Sequence, residues 1–399
     1  MTSLSRRTFM ALPVGFAAID TLRAAVKPVH ITDIDFFTVD VPVTPAEDAA
    51  GVQHRYSVVK VVTGAGVTGY SFAGPYPHTL PPFRKDAFVG ADLFNVEGHL
   101  HNGLWRWGGV EHAVWDAIGK IAGQPVFRLL GGREDRVTPY LTCVWPGPAD
   151  QQQVPFKDQV DMAVRIKNAG FKGMKIRVWR PNPMDDVEVC RLIKEATGPD
   201  FHLMFDRTAD APATMSGQLV WDFETGLKVA RALQKAGAYW LEEPFARPDY
   251  ETPAKLASMV DILITGGEGY DSLESYRQCL LHRTYDILQP DGSHAGGIFR
   301  CRQVGILGES FHVPIILHGT MGLMLAGWVQ ASLAMGAPWQ EMALITPPLL
   351  PEDQWAPGLK LLKSKQAFNI DNGQLVAPPY PGIGLDVDED ALNRYRLET

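Results

Sequence analysis

From about residue 136 onward the chain repeats one pattern: a short apolar run closing on a polar residue, then a stretch with helical spacing. The runs fall at 137–144, 173–178, 202–206, 239–243, 262–267, 286–289, 314–317 and 341–345. Amphipathic stretches such as 155–169, 222–236 and 297–309 lie between them. Short apolar runs alternating with helices read as parallel strands buried on both faces. Eight such units close into a (β/α) barrel, and a barrel carries its active residues at the C-terminal ends of its strands. No sequence repeat accompanies the structural one.

Upstream the rhythm is different. HITDIDFFTVDV, HRYSVVKVVTG and GVTGYSFAG, between His30 and Gly74, alternate with a period of two and are joined through glycine-containing turns, which predicts a small antiparallel sheet. Helical spacing follows from about residue 83 and culminates in 110–123, where small residues every three or four positions predict close packing on a neighbour. Leu129-Leu130-Gly131-Gly132 reads as a helix stop. The division expected is a segment 1–26, an α+β capping domain over 27–135, a barrel over 136–360 and a tail over 361–399 that returns to the capping domain.

Composition excludes several functions. The formal net charge of −8, with no Lys/Arg block to track a phosphate backbone, argues against a nucleic-acid partner. Cys143, Cys190, Cys279 and Cys301 are widely spaced, so neither a thiolate zinc site nor a redox pair is expected. Ser5-Arg6-Arg7-Thr8-Phe9-Met10 opens an apolar run from Thr8 to Ile19, with Ala24-Ala25 beyond it. This is similar to a twin-arginine export signal, and the run is too short for a membrane span. The expected location is the periplasm; the alternative is a basic, frayed start to a cytoplasmic chain.

Six charged or titratable residues close successive runs: Arg177, Asp206, Glu242, Glu268, Asp291 and His318. Asp206, Glu242 and Glu268 end the third, fourth and fifth runs, so their carboxylates can converge. Oxygen donors without Cys or His beside them select a hard cation such as Mg²⁺. The alternative is that each carboxylate caps the helix after its strand. Glu243 competes with Glu242, because neighbours on a strand face opposite ways. Asp291 and His318 end adjacent runs; a carboxylate on one imidazole nitrogen fixes the tautomer and raises the basicity of the other. Lys175 and Arg177 share one strand face and suit a substrate carboxylate or a developing enediolate. Their other possible partners are the carboxylates of the metal set.

With these residues the chain resembles the enolase superfamily, mandelate racemase subgroup, over nearly its whole length. The steps from Glu242 to Glu268 (26), Glu268 to Asp291 (23) and Asp291 to His318 (27) match that subgroup's register and favour Glu242 over Glu243. The Ala-containing segment 113–132 also resembles the subgroup's signature. The resemblance implies an α/β fold: a (β/α)7β modified TIM barrel with an α+β capping domain built from the N-terminal region and the C-terminal tail. It implies Asp206, Glu242 and Glu268 as Mg²⁺ ligands, Asp291-His318 as the catalytic dyad, and Glu341 as an eighth-strand acid near the substrate carboxylate. It also implies a homo-oligomer.

Two positions depart from the subgroup. Its second strand usually carries Lys-x-Lys, whose second lysine is a base opposite the histidine; here Arg177 stands there, and guanidinium keeps its proton. Thr208 stands where Asn or His is frequent, ahead of an insertion over 210–220. A two-base racemase is disfavoured. The activity expected is Mg²⁺-dependent removal of the α-proton of a sugar acid by His318, followed by dehydration to a 2-keto-3-deoxy acid. A cycloisomerase or an epimerase of a sugar-acid derivative is the runner-up, and a non-catalytic periplasmic sugar-acid binding protein is the rival outside enzymology. Substrate polarity would be read by the loops 42–56, with His54, and 73–82, and by Trp145, Trp179 and Arg180.

Overall fold

A computed structural model describes residues 27–43, 45, 54–73, 83–132, 134–144, 154–208, 220–344 and 356–397. Trp145, the twin-arginine segment 1–26, most of both capping loops and nearly all of the insertion after Thr208 lie outside them.

The first strands are β1 (Ile31–Asp40), β2 (Arg55–Thr63) and β3 (Thr68–Ser71), an antiparallel meander in the order β1-β2-β3. Period-two alternation sets its register, with Phe36 opposite Val59 and Ile34 opposite Val61. Helices α1 (Val96–His101), α2 (Gly108–Ala122) and α3 (Val126–Leu129) follow. The small residues of α2 do bring it against the sheet. A Cβ on Gly69 of β3 would overlap the Ala113 carbonyl and lie 2.7 Å from the Ala117 nitrogen, so backbone meets backbone there.

The barrel begins with β4 (Arg136–Cys143). It continues through α4 (Phe156–Asn168), β5 (Gly173–Arg177), α5 (Pro183–Thr197), β6 (His202–Asp206), α6 (Phe223–Ala236) and β7 (Trp240–Glu242). Next come α7 (Glu251–Ala257), β8 (Leu263–Gly266), α8 (Leu273–His282), β9 (Ile287–Leu288) and the short α9 (Gly292–Ala295). Then follow α10 (Ile298–Phe311), α11 (Leu325–Met335) and β10 (Trp339–Leu344). Strands β4 to β9 pair in parallel in chain order, and β10 closes back onto β4. Alternate residues divide the layers. Met174, Ile176, Leu203, Phe205 and Leu241 join the core beneath the helices, while Tyr140, Met204, Trp240, Ile287, Ile316 and Trp339 fill the barrel.

The seventh strand expected at 314–317 is not continuous. Only single bridges, Leu288 to Ile315, Asp291 to His318 and Thr320 to Met342, complete the ring there. Pro290 and Pro314 have no amide to donate, which interrupts the ladder on both sides of that position. The tail forms a hairpin, β11 (Asn369–Asp371) and β12 (Gln374–Val376), whose second strand pairs antiparallel with the start of β4. It then runs to α12 (Glu389–Tyr395) and meets β1, where the Leu397 amide donates to Thr38 O at 2.9 Å.

Candidate active site

Register places the site. Across β5, β6 and β7 the residues Arg177, Asp206 and Glu242 lie side by side in one row at the C-terminal ends of the strands. Each is two residues above an inward position of its strand, so all three share the face of the barrel interior. Glu268 follows β8 in the turn Gly266-Gly267-Glu268-Gly269, and Asp291 caps α9 just after β9.

The dyad is formed. His318 Nδ1 donates to Asp291 Oδ2 at 2.7 Å, and the other Asp291 oxygen accepts from the amides of Ser293 (2.6 Å) and His294 (3.2 Å). The carboxylate is therefore fixed by the helix start that it caps. His318 Nε2 faces Glu268 Oε2 at 3.0 Å. Burial opposes charge on the ring, yet Glu268 and Asp291 on its two sides outweigh it and raise the imidazolium to about 10.

Lys175 and Arg177 sit in the same mouth, but both are engaged. Lys175, with no exposed surface, holds Glu242 Oε2 (2.8 Å), Glu341 Oε1 (2.8 Å) and Asp206 Oδ2 (3.4 Å). Arg177 Nη1 donates to Asp206 Oδ2 and to Thr208 Oγ1. The picture of two cations held open for substrate thus gives way to the ion-paired alternative. Burying lysine without partners would be costly, and carboxylates on the next strands supply them. Glu341 is a clamp rather than an isolated acid. It accepts from Lys175, from Thr142 Oγ1 and, through Oε2, from the Gly319 amide at 2.8 Å. Against burial, Lys175 and His318 hold its carboxyl at about 2.

The donor set fits a hard divalent cation. Glu242 Oε1 is buried with no hydrogen-bond partner among the described residues, and burial together with Asp206 pushes its carboxyl up to about 8. Lys175 and Gln289 hold Glu242 Oε2 while Oε1 keeps its lone pairs, and Asp206 lies beside it, an all-oxygen set of the kind a hard cation takes. As placed, no three ligand-type side chains among the described residues gather about one point, because Glu268 is turned to His318 and to Arg247.

Several participants were not singled out in the sequence. Gln289, fully buried, donates to Glu242 Oε2 at 3.0 Å; Thr142 holds Glu341; Arg247 reaches Glu268 Oε1 at 3.6 Å. Gln289 closes its apolar run, which was a faint signal, whereas Thr142 lies within its run and gave none. His54 is buried on the capping side with its Nδ1 3.3 Å from the Tyr56 hydroxyl. Trp179 lies under the Arg177 guanidinium at 5.2 Å and donates from its indole to Arg207 O at 2.8 Å. Arg180 is absorbed by Asp186, Gln159 and the Val154 carbonyl.

A parallel barrel with a capping domain, a carboxylate row and a histidine-aspartate dyad defines a class, and sequence comparison agrees. The Enolase C-terminal domain-like family matches residues 158–391, more than half of the chain, and the chain belongs to that family. L-talarate/galactarate dehydratase from Salmonella typhimurium is 31% identical over 329 residues, covering 74% of this chain and 78% of that protein. Arabinonate dehydratase from Saccharolobus solfataricus is 28% identical over 292 residues, covering 73% and 72%. The solved structure of D-glucarate dehydratase from Agrobacterium tumefaciens, complexed with magnesium, matches with a TM-score of 0.77 at 25% identity, covering 92% of this chain and 99% of that one.

Proposed function

We propose that this chain is a sugar-acid dehydratase: it removes the α-proton of a polyhydroxy carboxylate and expels the neighbouring hydroxyl as water. The observation that carries this is the dyad, His318 Nδ1 on Asp291 at 2.7 Å, with Nε2 directed into a mouth lined by carboxylates and by Lys175 and Arg177. The names of the relatives support the reaction class.

Asp206, Glu242 and Glu268 would hold Mg²⁺, which would supply a Lewis acid for the substrate carboxylate and, by drawing on Glu268, ease the proton from His318. His318 Nε2 takes the C2 proton, with Asp291 fixing the tautomer and stabilising the imidazolium. Lys175 and Arg177, held by the carboxylates rather than open to substrate, keep fixed positive charge in the mouth where the enediolate develops. The imidazolium then protonates the departing C3 hydroxyl, the C2–C3 double bond forms as that C–O bond breaks, and the enol becomes the 2-keto-3-deoxy acid. Arg177 keeps its proton, since burial is outweighed by Asp206, Glu268, Glu242 and Glu341 together, which raise the guanidinium further, so a second base on its side is not supplied.

The test is incubation of the full chain with a panel of acid sugars and Mg²⁺, followed for 2-keto acid. A keto acid lighter by one water is expected with at least one sugar acid. A product of unchanged mass would replace dehydration by cycloisomerisation or epimerisation, and binding with neither product would favour a binding protein. We also infer export, on Arg6-Arg7 and the apolar run after them. Lys-Lys in their place should hold the precursor in the cytoplasm, and an unchanged periplasmic yield would overturn it.

A further inference from the structure

Glu243 is the carboxylate that the register set aside, yet the structure encloses it with care. Its backbone has φ 44°, in the left-handed region that a glutamate seldom occupies. Its Oε1 accepts from the Gly267 amide at 3.1 Å. Its Oε2 lies 3.4 Å from Arg247 Nη2, and the same guanidinium nitrogen lies 3.6 Å from Glu268 Oε1. Two glycines make the space. A Cβ on Gly266 would be wedged between the Tyr285 ring at 2.7 Å and Glu243 Cγ at 2.9 Å, and a Cβ on Gly269 would fall on Arg247 Nη1. Three of the four residues of the turn that carries Glu268 are thus shaped around this pair, and Glu268 itself touches it.

We propose that Glu243 and Arg247 are positioning residues for Glu268. Glu243 anchors the turn through Gly267 and draws in Arg247. Arg247 takes Glu268 Oε1 on one side, which leaves Oε2 toward His318. A ligand carboxylate held from outside in this way binds its cation in one orientation, and losing such a partner typically costs about 10- to 100-fold in metal affinity. This rests on the reading of Glu268 as a cation ligand.

Simple electrostatics makes the opposite prediction for Arg247: removing a positive charge near a cation site tightens binding. The sign therefore discriminates. Mn²⁺ binding to the purified full chain, followed by electron paramagnetic resonance, should weaken roughly 10-fold in Arg247→Met. Arg247→Lys should recover part of the loss. Gly269→Ala should weaken binding similarly without removing any charge, because the clash is with the flexible end of the arginine. Far-UV circular dichroism and melting temperature verify the fold of each variant. Unchanged or tighter Mn²⁺ binding in both Arg247→Met and Gly269→Ala, with the wild type binding normally, would overturn the role. Failure of the wild type itself to bind Mn²⁺ would instead overturn the cation site, and the role with it.

Discussion

At the scale of single residues, Arg177 decides how many bases the site has. Its guanidinium is tied to Asp206 and Thr208 and lies over Trp179, so it is both permanently charged and fixed. His318→Asn should abolish exchange of the C2 proton for deuterium in the unconverted sugar acid in D₂O and lower turnover by at least about 100-fold. Exchange that persists in that variant, read by proton NMR, would require another base. Asp291→Asn keeps the helix cap acceptor but loses the charge behind the imidazolium; its kcat should fall by roughly 100-fold or more with little change in melting temperature. The six residues at the ends of the apolar runs were legible because a carboxylate, guanidinium or imidazole is out of place beside Val, Ile and Leu. Gln289, Thr142 and Arg247 were not. Their roles depend on which strand each residue faces, and single-residue chemistry does not carry that information.

At the scale of elements, caps and periodicity told most of the story. Helix α6 starts on its Asp222 cap, at the head of the amphipathic stretch 222–236, and α5 starts on its Asn182 cap with Pro183 at the first turn. The short β9 and the run 314–317, which forms only isolated bridges, were the exception. An apolar run announces burial, but prolines beside it decide whether burial comes with a full ladder. Likewise, the small residues of α2 announced close packing without naming Gly69 as the partner. That contact is testable by itself. Gly69→Ala forces a methyl group against the Ala113 carbonyl, and neither backbone can yield cheaply. Urea denaturation should report a loss of about 3 kcal/mol, at the upper end for overpacking; a loss under about 0.5 kcal/mol would show that β3 and α2 can separate.

At the scale of the whole molecule, buried acids of α2 tie the capping domain to the barrel and to the returning tail. Glu111 reaches across to the start of α10 and accepts from the Ile298 (2.8 Å) and Phe299 (2.9 Å) amides, while Asp116 accepts from Tyr70 (2.8 Å) and from Ile383 (3.0 Å) of the tail. Burial raises the Glu111 carboxyl to about 7 against the pull of those two amides. A raised acid holds its proton in the fold after the unfolded chain has released it, so its contribution to stability falls as pH rises from about 4.5 to about 7. The loss is roughly 3 kcal/mol for a shift of this size. Glu111→Gln removes the titration, so the difference in melting temperature should move in the variant's favour between pH 5 and 7.5; parallel curves would contradict it.

The sheet that begins the capping domain is local in sequence, but its β1 edge is met by Arg396 and Leu397, whose amide partner Thr38 was made 359 residues earlier. During synthesis that edge stays open while every barrel unit emerges. An open strand edge is a template for pairing with other chains. The time the ribosome needs to deliver the barrel is therefore also the time during which a nascent chain can join its neighbours on a polysome. Slowing elongation, or releasing chains cut short before residue 396, should increase aggregation without altering any residue of the barrel.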